Sequence, residues 1–188
     1  NEKTNFVYSG TLGLANNCDQ ILAAARKLKA WREKDIMIYL IGDGKEKSNL
    51  EKKAEQEELL DLIEFLPPTP KEELARWINH CDAVLVVLKN LKVFDTVSPN
   101  KLFDAFAAGV PVIQTTQGWI RELLEEENCG ITTDPQDPDS LARTIQLFAH
   151  NPKQRQVMSR NSLRVGKEHF DRDLLSQQYL ALLEELTH

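Results

Sequence analysis

Two periodicities alternate along this chain. Short, nearly continuous apolar runs occur at "NFVYSG", "DIMIYLIG", "LIEFL", "DAVLVVL", "VPVIQT" and "CGITT". Such runs suit strands whose two faces are both covered by helices. Between them, apolar residues recur at helical spacing. Asn17 to about Glu33 carries Ile21, Leu22, Ala25, Leu28 and Trp31 on one face, with Asn17 and Gln20 as a capping box. A charged helix is expected from Lys45 to about Leu59. Another covers "PKEELARWINHC", capped by Thr69, with Leu74, Trp77, Ile78 and Cys81 on one face. A polar connection from Lys89 to Val97 leads to a helix at Ser98, a further helix follows from Gly118 to Glu127, and three more close the chain at 138–149, 152–168 and 171–186.

Strand–helix units in series, with no hairpin signal, predict an α/β fold: a doubly wound, parallel six-stranded sheet of the Rossmann-like kind. The even spread of apolar runs over 188 residues favours a single domain, 1–188. Ligands of such sheets bind beyond the carboxyl ends of the strands, at the switch point. Two segments fall at strand carboxyl ends with suitable chemistry: Ser9 to Gly13, "SGTLG", and Ser98 to Asp104, "SPNKLFD".

The second segment is the more informative. Ser98 is a good N-cap and Pro99 suits the first helical position. The first turn then offers free N–H groups and the positive end of a dipole, which favour an anion. Lys101 also sits there, where a cation is electrostatically misplaced until an anion binds. Asp104, one turn on, can accept hydrogen bonds from a diol. A phosphate and a diol side by side describe a nucleotide. The plainer alternative is a surface pair between Lys101 and Asp104, worth about 0.2–0.5 kcal/mol. Gly10 and Gly13 flank a turn that either lets backbone approach a diphosphate, the reading its place beside the switch point favours, or merely joins strand to helix; the run is neither a GxGxxG nor a Walker pattern. Asp43 and Gly44 read as a turn. The pairs Asp137–Asp139 and Asp171–Asp173 stand at helix starts and read as caps rather than metal ligands.

Composition narrows the partners. A net charge of −6 argues against a nucleic acid polymer, which needs a basic face. Three scattered cysteines, Cys18, Cys81 and Cys129, suggest reduced thiols in a cytoplasmic protein. His80, His150, His169 and His188 have no zinc spacing, and no metal is expected. No apolar stretch approaches membrane-spanning length and no signal peptide opens the chain. The chain has no initiating Met and enters its first strand at once, so a piece cut from a longer protein is expected, although processing gives the same appearance.

The order of segments resembles the C-terminal, nucleotide-sugar-binding domain of the GT-B glycosyltransferases, in particular the group 1 (GT4-like) family. "FVYSGTLG…QILAAARKL" looks like its first strand and phosphate loop, and "IYLIGDGKEKSNLEKKA" like its second unit. "IEFLPPTPKEELARWINHCDAVLVVL" looks like its third, and "NKLFDAFAAGVPVIQT" like its donor-binding helix and next strand. "GWIRELLEEENCGITTDPQDPDSLARTI" resembles the closing segment. The resemblance implies a glycosyltransferase whose full chain moves a sugar from a nucleoside diphosphate sugar to a hydroxyl, with retention, in surface polysaccharide synthesis. It implies a donor site at Gly10, Thr11, Leu12, Gly13, Leu66, Pro67, Ser98, Pro99, Asn100, Lys101, Leu102 and Asp104, and no cofactor.

That family carries a Glu-x7-Glu pair whose second acid holds the ribose. Here the second position is Asp104 and the first is Thr96, no acid. Thr11 and Asn16 stand where the family's loop Arg and Lys belong. Lys101, with the N–H groups of Asn100 and Lys101, is expected to compensate as leaving-group stabiliser. Glu122 aligns with a family acid and reads as a cap or packing residue. Leu66 and Pro67 stand where the family holds the base through backbone groups, and a strand-terminating turn explains them equally well. The last helix, with Leu175, Tyr179, Leu182, Leu183 and Leu186, crosses to the N-terminal domain in the family. The implied partners are that domain and a lipid-linked or glycan acceptor at the cytoplasmic membrane face. Two alternatives remain: a nucleotide-sugar 2-epimerase of the same architecture, and a non-catalytic nucleotide-binding module.

Overall fold

A computed structural model describes residues 3–134, 137 and 139–186. Six strands, β1 (Thr4–Ser9), β2 (Ile36–Ile41), β3 (Ile63–Leu66), β4 (Ala83–Val86), β5 (Val112–Gln114) and β6 (Gly130–Thr132), form one sheet in the order β3-β2-β1-β4-β5-β6. Every pairing is parallel. The helices are α1 (Asp19–Ala30), α2 (Lys47–Gln56), α3 (Lys71–Asn79), α4 (Asn100–Ala108), α5 (Trp119–Glu127), α6 (Ser140–Ala149), α7 (Pro152–His169) and α8 (Arg172–Leu186). The connection read as merely polar also holds a 3₁₀ turn, Lys92–Thr96.

The period-two alternation of each strand divides the core into two layers. Phe6 and Tyr8 of β1, Ile38 and Leu40 of β2, and Ala83, Leu85 and Val87 of the β4 region pack with α1, α2 and α6. Val7, Ile41, Val84, Val86 and Val112 pack the opposite face, under α3, α4, α5 and α7. Each fully buried Leu, Ile or Phe contributes about 1.5–3 kcal/mol, so these two layers set the register. The α1 stripe is buried through Ile21, Leu22, Ala25 and Leu28, whereas Trp31 lies past the helix end and is partly exposed. All three cysteines are free and buried.

In α1 and α3 helix entry departs from the expected caps. Asn17 does not cap α1: it turns left-handed at φ 45°, and Cys18 occupies the N-cap without a side-chain bond. Gln20, freed from any capping box, donates to the Leu88 carbonyl at 3.0 Å and ties α1 to the end of β4. Thr69 does not cap α3 either. Pro70 takes that position with ψ 152°, and Thr69 bonds back to the Pro67 carbonyl, because a residue before proline is kept out of the helical region.

No described helix is long and apolar enough to cross a membrane. The last helix, α8, buries none of its described residues, and Leu175, Tyr179, Leu182, Leu183 and Leu186 are exposed along it.

Candidate functional site

The strand order reverses between β1 and β4, which places the crevice of a doubly wound sheet beyond their carboxyl ends. The backbone amides of the loop after β1 bond alternately to the β2 side. Gly10 N–H donates to Ile41 O at 2.9 Å and Leu12 N–H to Asp43 O at 2.8 Å. Leu12 is fully buried, and its carbonyl accepts from Glu46 N at 3.0 Å, so it anchors the loop from below. Alternation then turns Thr11 and Gly13 the other way, and their N–H groups have no acceptor among the described residues. The close approach depends on glycine: a Cβ on Gly42 would stand 1.9 Å from the Gly10 carbonyl oxygen, at φ +153°. Gly10 itself sits at φ +127°. Asn16 donates to the Thr11 carbonyl at 2.7 Å, so it braces the loop instead of reaching out of it.

The segment from Ser98 faces this loop, as a shared site requires. Its helix starts one residue later than expected. Pro99, not Ser98, is the N-cap, with φ −72° and ψ 130°, and no side chain caps α4. Ser98 is thus an exposed residue just before the helix. Pro99 has no N–H to leave unsatisfied, and its carbonyl accepts from Leu102 N at 2.9 Å. Leu102 is fully buried and anchors the first turn to the core. The N–H groups of Asn100 and Lys101 have no acceptor among the described residues.

Lys101 reaches across to the other segment. A Cβ on Gly10 would lie 3.6 Å from the Lys101 Nζ. The ammonium stands over the Tyr8 ring, 4.5 Å from its centroid. No carboxylate among the described residues pairs with it, so the surface pair with Asp104 does not form. Burial pushes the Lys101 ammonium below its ordinary value. A half-buried cation at the positive end of a helix, without a counter-ion, is electrostatically costly as it stands. Two loop amides, two helix amides and this ammonium thus present five donors of the kind an anion accepts from.

Asp104 points elsewhere. It lines a groove between α3 and α4 with Lys71, Leu74, Ile78, Ala107 and Ala108, about 360 Å³ in volume. Leu66 and Pro67 end β3, at the same edge of the sheet but two strands from β1, about 10 Å away by strand spacing. The Leu66 carbonyl accepts from Gly42 N at 3.2 Å, which binds this turn to the glycine pair under the β1 loop. Thr96 ends the 3₁₀ turn, and its hydroxyl donates to Val93 O.

The aspartate pairs serve helix starts and surface pairs. Asp171 accepts from Asp173 N and Leu174 N at the start of α8, both at 3.0 Å. Asp137 accepts from Asp139 N and pairs with Arg143, while Asp139 pairs with Lys27 at 3.0 Å. Among the described residues no three His, Cys, Asp or Glu side chains gather to hold a metal ion.

Two features of the site were not singled out from sequence. Tyr8 read only as part of an apolar strand, yet its hydroxyl donates to the Thr11 carbonyl at 2.7 Å beneath Lys101. An aromatic residue with a polar tip, one position before a strand's end, is the signal that could have marked it. The second is a clamp over β5: Asp95 accepts from Gln117 N at 2.9 Å, and Trp119 Nε1 donates to the Val97 carbonyl at 2.9 Å. This clamp fixes the approach to α4.

Fold and crevice together define a doubly wound α/β domain with donor groups gathered at its switch point. The family model for glycosyl transferases of group 1 matches residues 1–165, and the chain belongs to that family. It is 28% identical over 145 residues to the D-inositol 3-phosphate glycosyltransferase of Pseudarthrobacter chlorophenolicus, covering 75% of this chain and 33% of that protein. It is 28% identical over 99 residues to the same-named protein of Streptosporangium roseum, covering 53% of this chain and 22% of that one. The chain thus spans a third or less of these relatives. Anabaena HepE, solved with UDP, superposes with a TM-score of 0.84 at 17% identity, over 98% of this chain and 49% of HepE. Sucrose-phosphate synthase of Thermosynechococcus elongatus gives 0.83 at 20% identity, over 98% and 46%.

Proposed function

We propose that the crevice between the β1 loop and the α4 N-terminus holds the diphosphate of a nucleoside diphosphate sugar. The observation that carries this reading is the unpaired Lys101 ammonium, held within van der Waals reach of Gly10 among four amides without acceptors. Asp104 holds the ribose from the α3–α4 groove, and the base extends toward Leu66 and Pro67. In the full-length protein, Lys101 and the amides stabilise the diphosphate as it leaves and the sugar passes to a hydroxyl. That arrangement serves transfer with retention onto a glycan or lipid-linked acceptor held by an N-terminal domain. The charge it needs comes from Lys101 rather than from a cofactor.

UDP is the natural probe, since HepE carries it. Calorimetry on the 188-residue chain should find that Lys101→Met weakens UDP binding by about ten- to hundredfold, the worth of one charged hydrogen-bonding partner. Uridine binding should not change. Equal UDP affinity in parent and variant would remove Lys101 from the site and reject the reading.

A further inference from the structure

Lys101 is a long, flexible side chain, and its position over Gly10 needs a cause. None of the usual ones is present: it makes no ion pair and no hydrogen bond among the described residues. What lies beneath it is a ring. The Lys101 Nζ is 4.5 Å from the Tyr8 centroid, and Tyr8 is fully buried, so the ring cannot turn aside. The ring is itself fixed at both ends. Its backbone belongs to β1, paired with Leu40 of β2. Its hydroxyl donates to the Thr11 carbonyl, which also receives Asn16 Nδ2.

We infer that Tyr8 is a positioning residue for the diphosphate site: its ring face holds the Lys101 ammonium over the glycine loop, and its hydroxyl holds that loop in the shape the ammonium faces. This inference rests on the reading of the crevice as a diphosphate site, and it adds what makes Lys101 competent before any ligand arrives.

The physical argument is one of order. An ammonium over a desolvated aromatic face is attracted by the ring quadrupole. A phosphate approaching from the solvent side meets the opposite side of the same ammonium, so ring and phosphate do not compete. A lysine already localised loses little rotamer freedom on binding, and cutting that loss raises affinity. The environment accounts for the choice of a ring over a carboxylate. A carboxylate beneath Lys101 would localise it equally well, yet would neutralise the charge the phosphate needs. A neutral phenol does not: burial drives the Tyr8 hydroxyl well above its ordinary value and pushes the neighbouring Cys18 thiol up to about 11, so both stay uncharged at neutral pH. The other groups around the ammonium are Cys18, Gly10 and the first turn of α4, none of them anionic.

The test is a double-mutant cycle on the 188-residue chain, read by UDP calorimetry. Tyr8→Leu should weaken UDP by roughly five- to thirtyfold, the range of a desolvated cation–ring contact. In a Lys101→Met background the same change should have less than about a twofold effect, since the partner it positions is gone. Tyr8→Phe, which keeps the ring and loses the hydroxyl, should recover most of the affinity. An equal loss from Tyr8→Leu in both backgrounds would assign Tyr8 to loop folding alone and overturn the inference. A loss in Lys101→Met with none in Tyr8→Leu overturns it too, while leaving the diphosphate reading intact. Unchanged affinity in Lys101→Met rejects both.

Should Tyr8→Leu fail to fold, the parent chain still decides. Proton NMR should place the Lys101 ε-methylene upfield of that of Lys71 through the ring current of Tyr8. Coincident shifts for the two lysines would overturn the inference.

Discussion

At the residue scale, the site is a set of local costs that a bound anion relieves. Lys101 is desolvated without a partner, so its folded-state value lies below that of the unfolded chain. Between the two values the unfolded state binds more protons, and stability therefore rises with pH through that window. Below it, at neutral pH, the charge weighs against the fold. Lys101→Met should accordingly raise the melting temperature while weakening UDP, the usual opposition of stability and binding at a functional group. The same lowered value sets a pH limb: UDP affinity of the parent should decline at a pH below the ordinary lysine range, as the ammonium loses its proton. The difference between parent and Lys101→Met, titrated in parallel, isolates that limb; a constant difference up to the lysine range would contradict it. The glycines divide as sharply. Gly42→Ala would place a Cβ 1.9 Å from the Gly10 oxygen. It should cost about 2–3 kcal/mol, or roughly 5–10 °C in melting temperature. At Gly13 a Cβ meets only Thr11 Cγ2 at 3.4 Å, and Gly13→Ala should stay within about 0.5 kcal/mol by chemical denaturation.

At the element scale, strand and helix identities were legible because burial on both sheet faces leaves continuous apolar runs, and α1, α3 and α5 keep their stripes. The helix starts were not. Asn17, Thr69 and Ser98 all have cap chemistry, but each sits beside a stronger constraint: a left-handed turn, a following proline and a preceding clamp. Tertiary bonds claimed the side chains that local rules had assigned, as with Gln20 on Leu88. Nor could periodicity tell that Tyr8, in a strand, would underlie Lys101, ninety-three positions on in the chain. Two helices make separable predictions. On α4, Asp104 faces the α3 groove while Lys101 faces β1, so their ligand contacts should divide. Asp104→Asn should weaken UDP by about three- to tenfold, the net worth of an ordinary hydrogen bond since the amide oxygen still accepts, and leave inorganic pyrophosphate binding unchanged. A parallel loss for pyrophosphate would place Asp104 at the phosphates instead. On α8, no described residue is buried. Leu175 touches the hollow formed with Phe103, Trp119 and Phe170, so the chain ended at Leu175 retains that contact. Its melting temperature should fall by no more than about 2 °C, since an element with no described residue buried opens at little cost.

At the scale of the whole molecule, the order β3-β2-β1-β4-β5-β6 explains why residues near positions 10 and 101 meet at all. Right-handed crossovers carry the first half of the chain to one side of β1 and the second half to the other, and only at the β1–β4 seam do the two halves present loops to each other. That seam was legible from the count of strand–helix units; the cation over a ring was not, because it depends on side-chain reach across it. Every group proposed for the donor comes from this one crevice and its α3–α4 flank. Of the other hollows on the described surface, that of Asn79, Asp82, Pro111, Arg155 and Ser159 lies at the amino ends of the strands, and that of Ser98, Phe103, Trp119, Phe170 and Leu175, beside the start of α4, is lined by no charged side chain. Binding and transfer should therefore separate. With UDP at about one hundred times its dissociation constant, ligand linkage adds about 2.7 kcal/mol to the native state, a rise of roughly 5–10 °C in melting temperature for a chain of this size. The same preparation given a UDP-sugar and a hydroxyl acceptor should show no transfer above the rate of spontaneous hydrolysis. A thermal shift without turnover is the signature of a donor half working alone. Robust turnover by the 188 residues would require an acceptor site within this fold, and would move the search to the two hollows that flank α4, the α3 groove lined by Asp104 and that of Phe103 and Trp119.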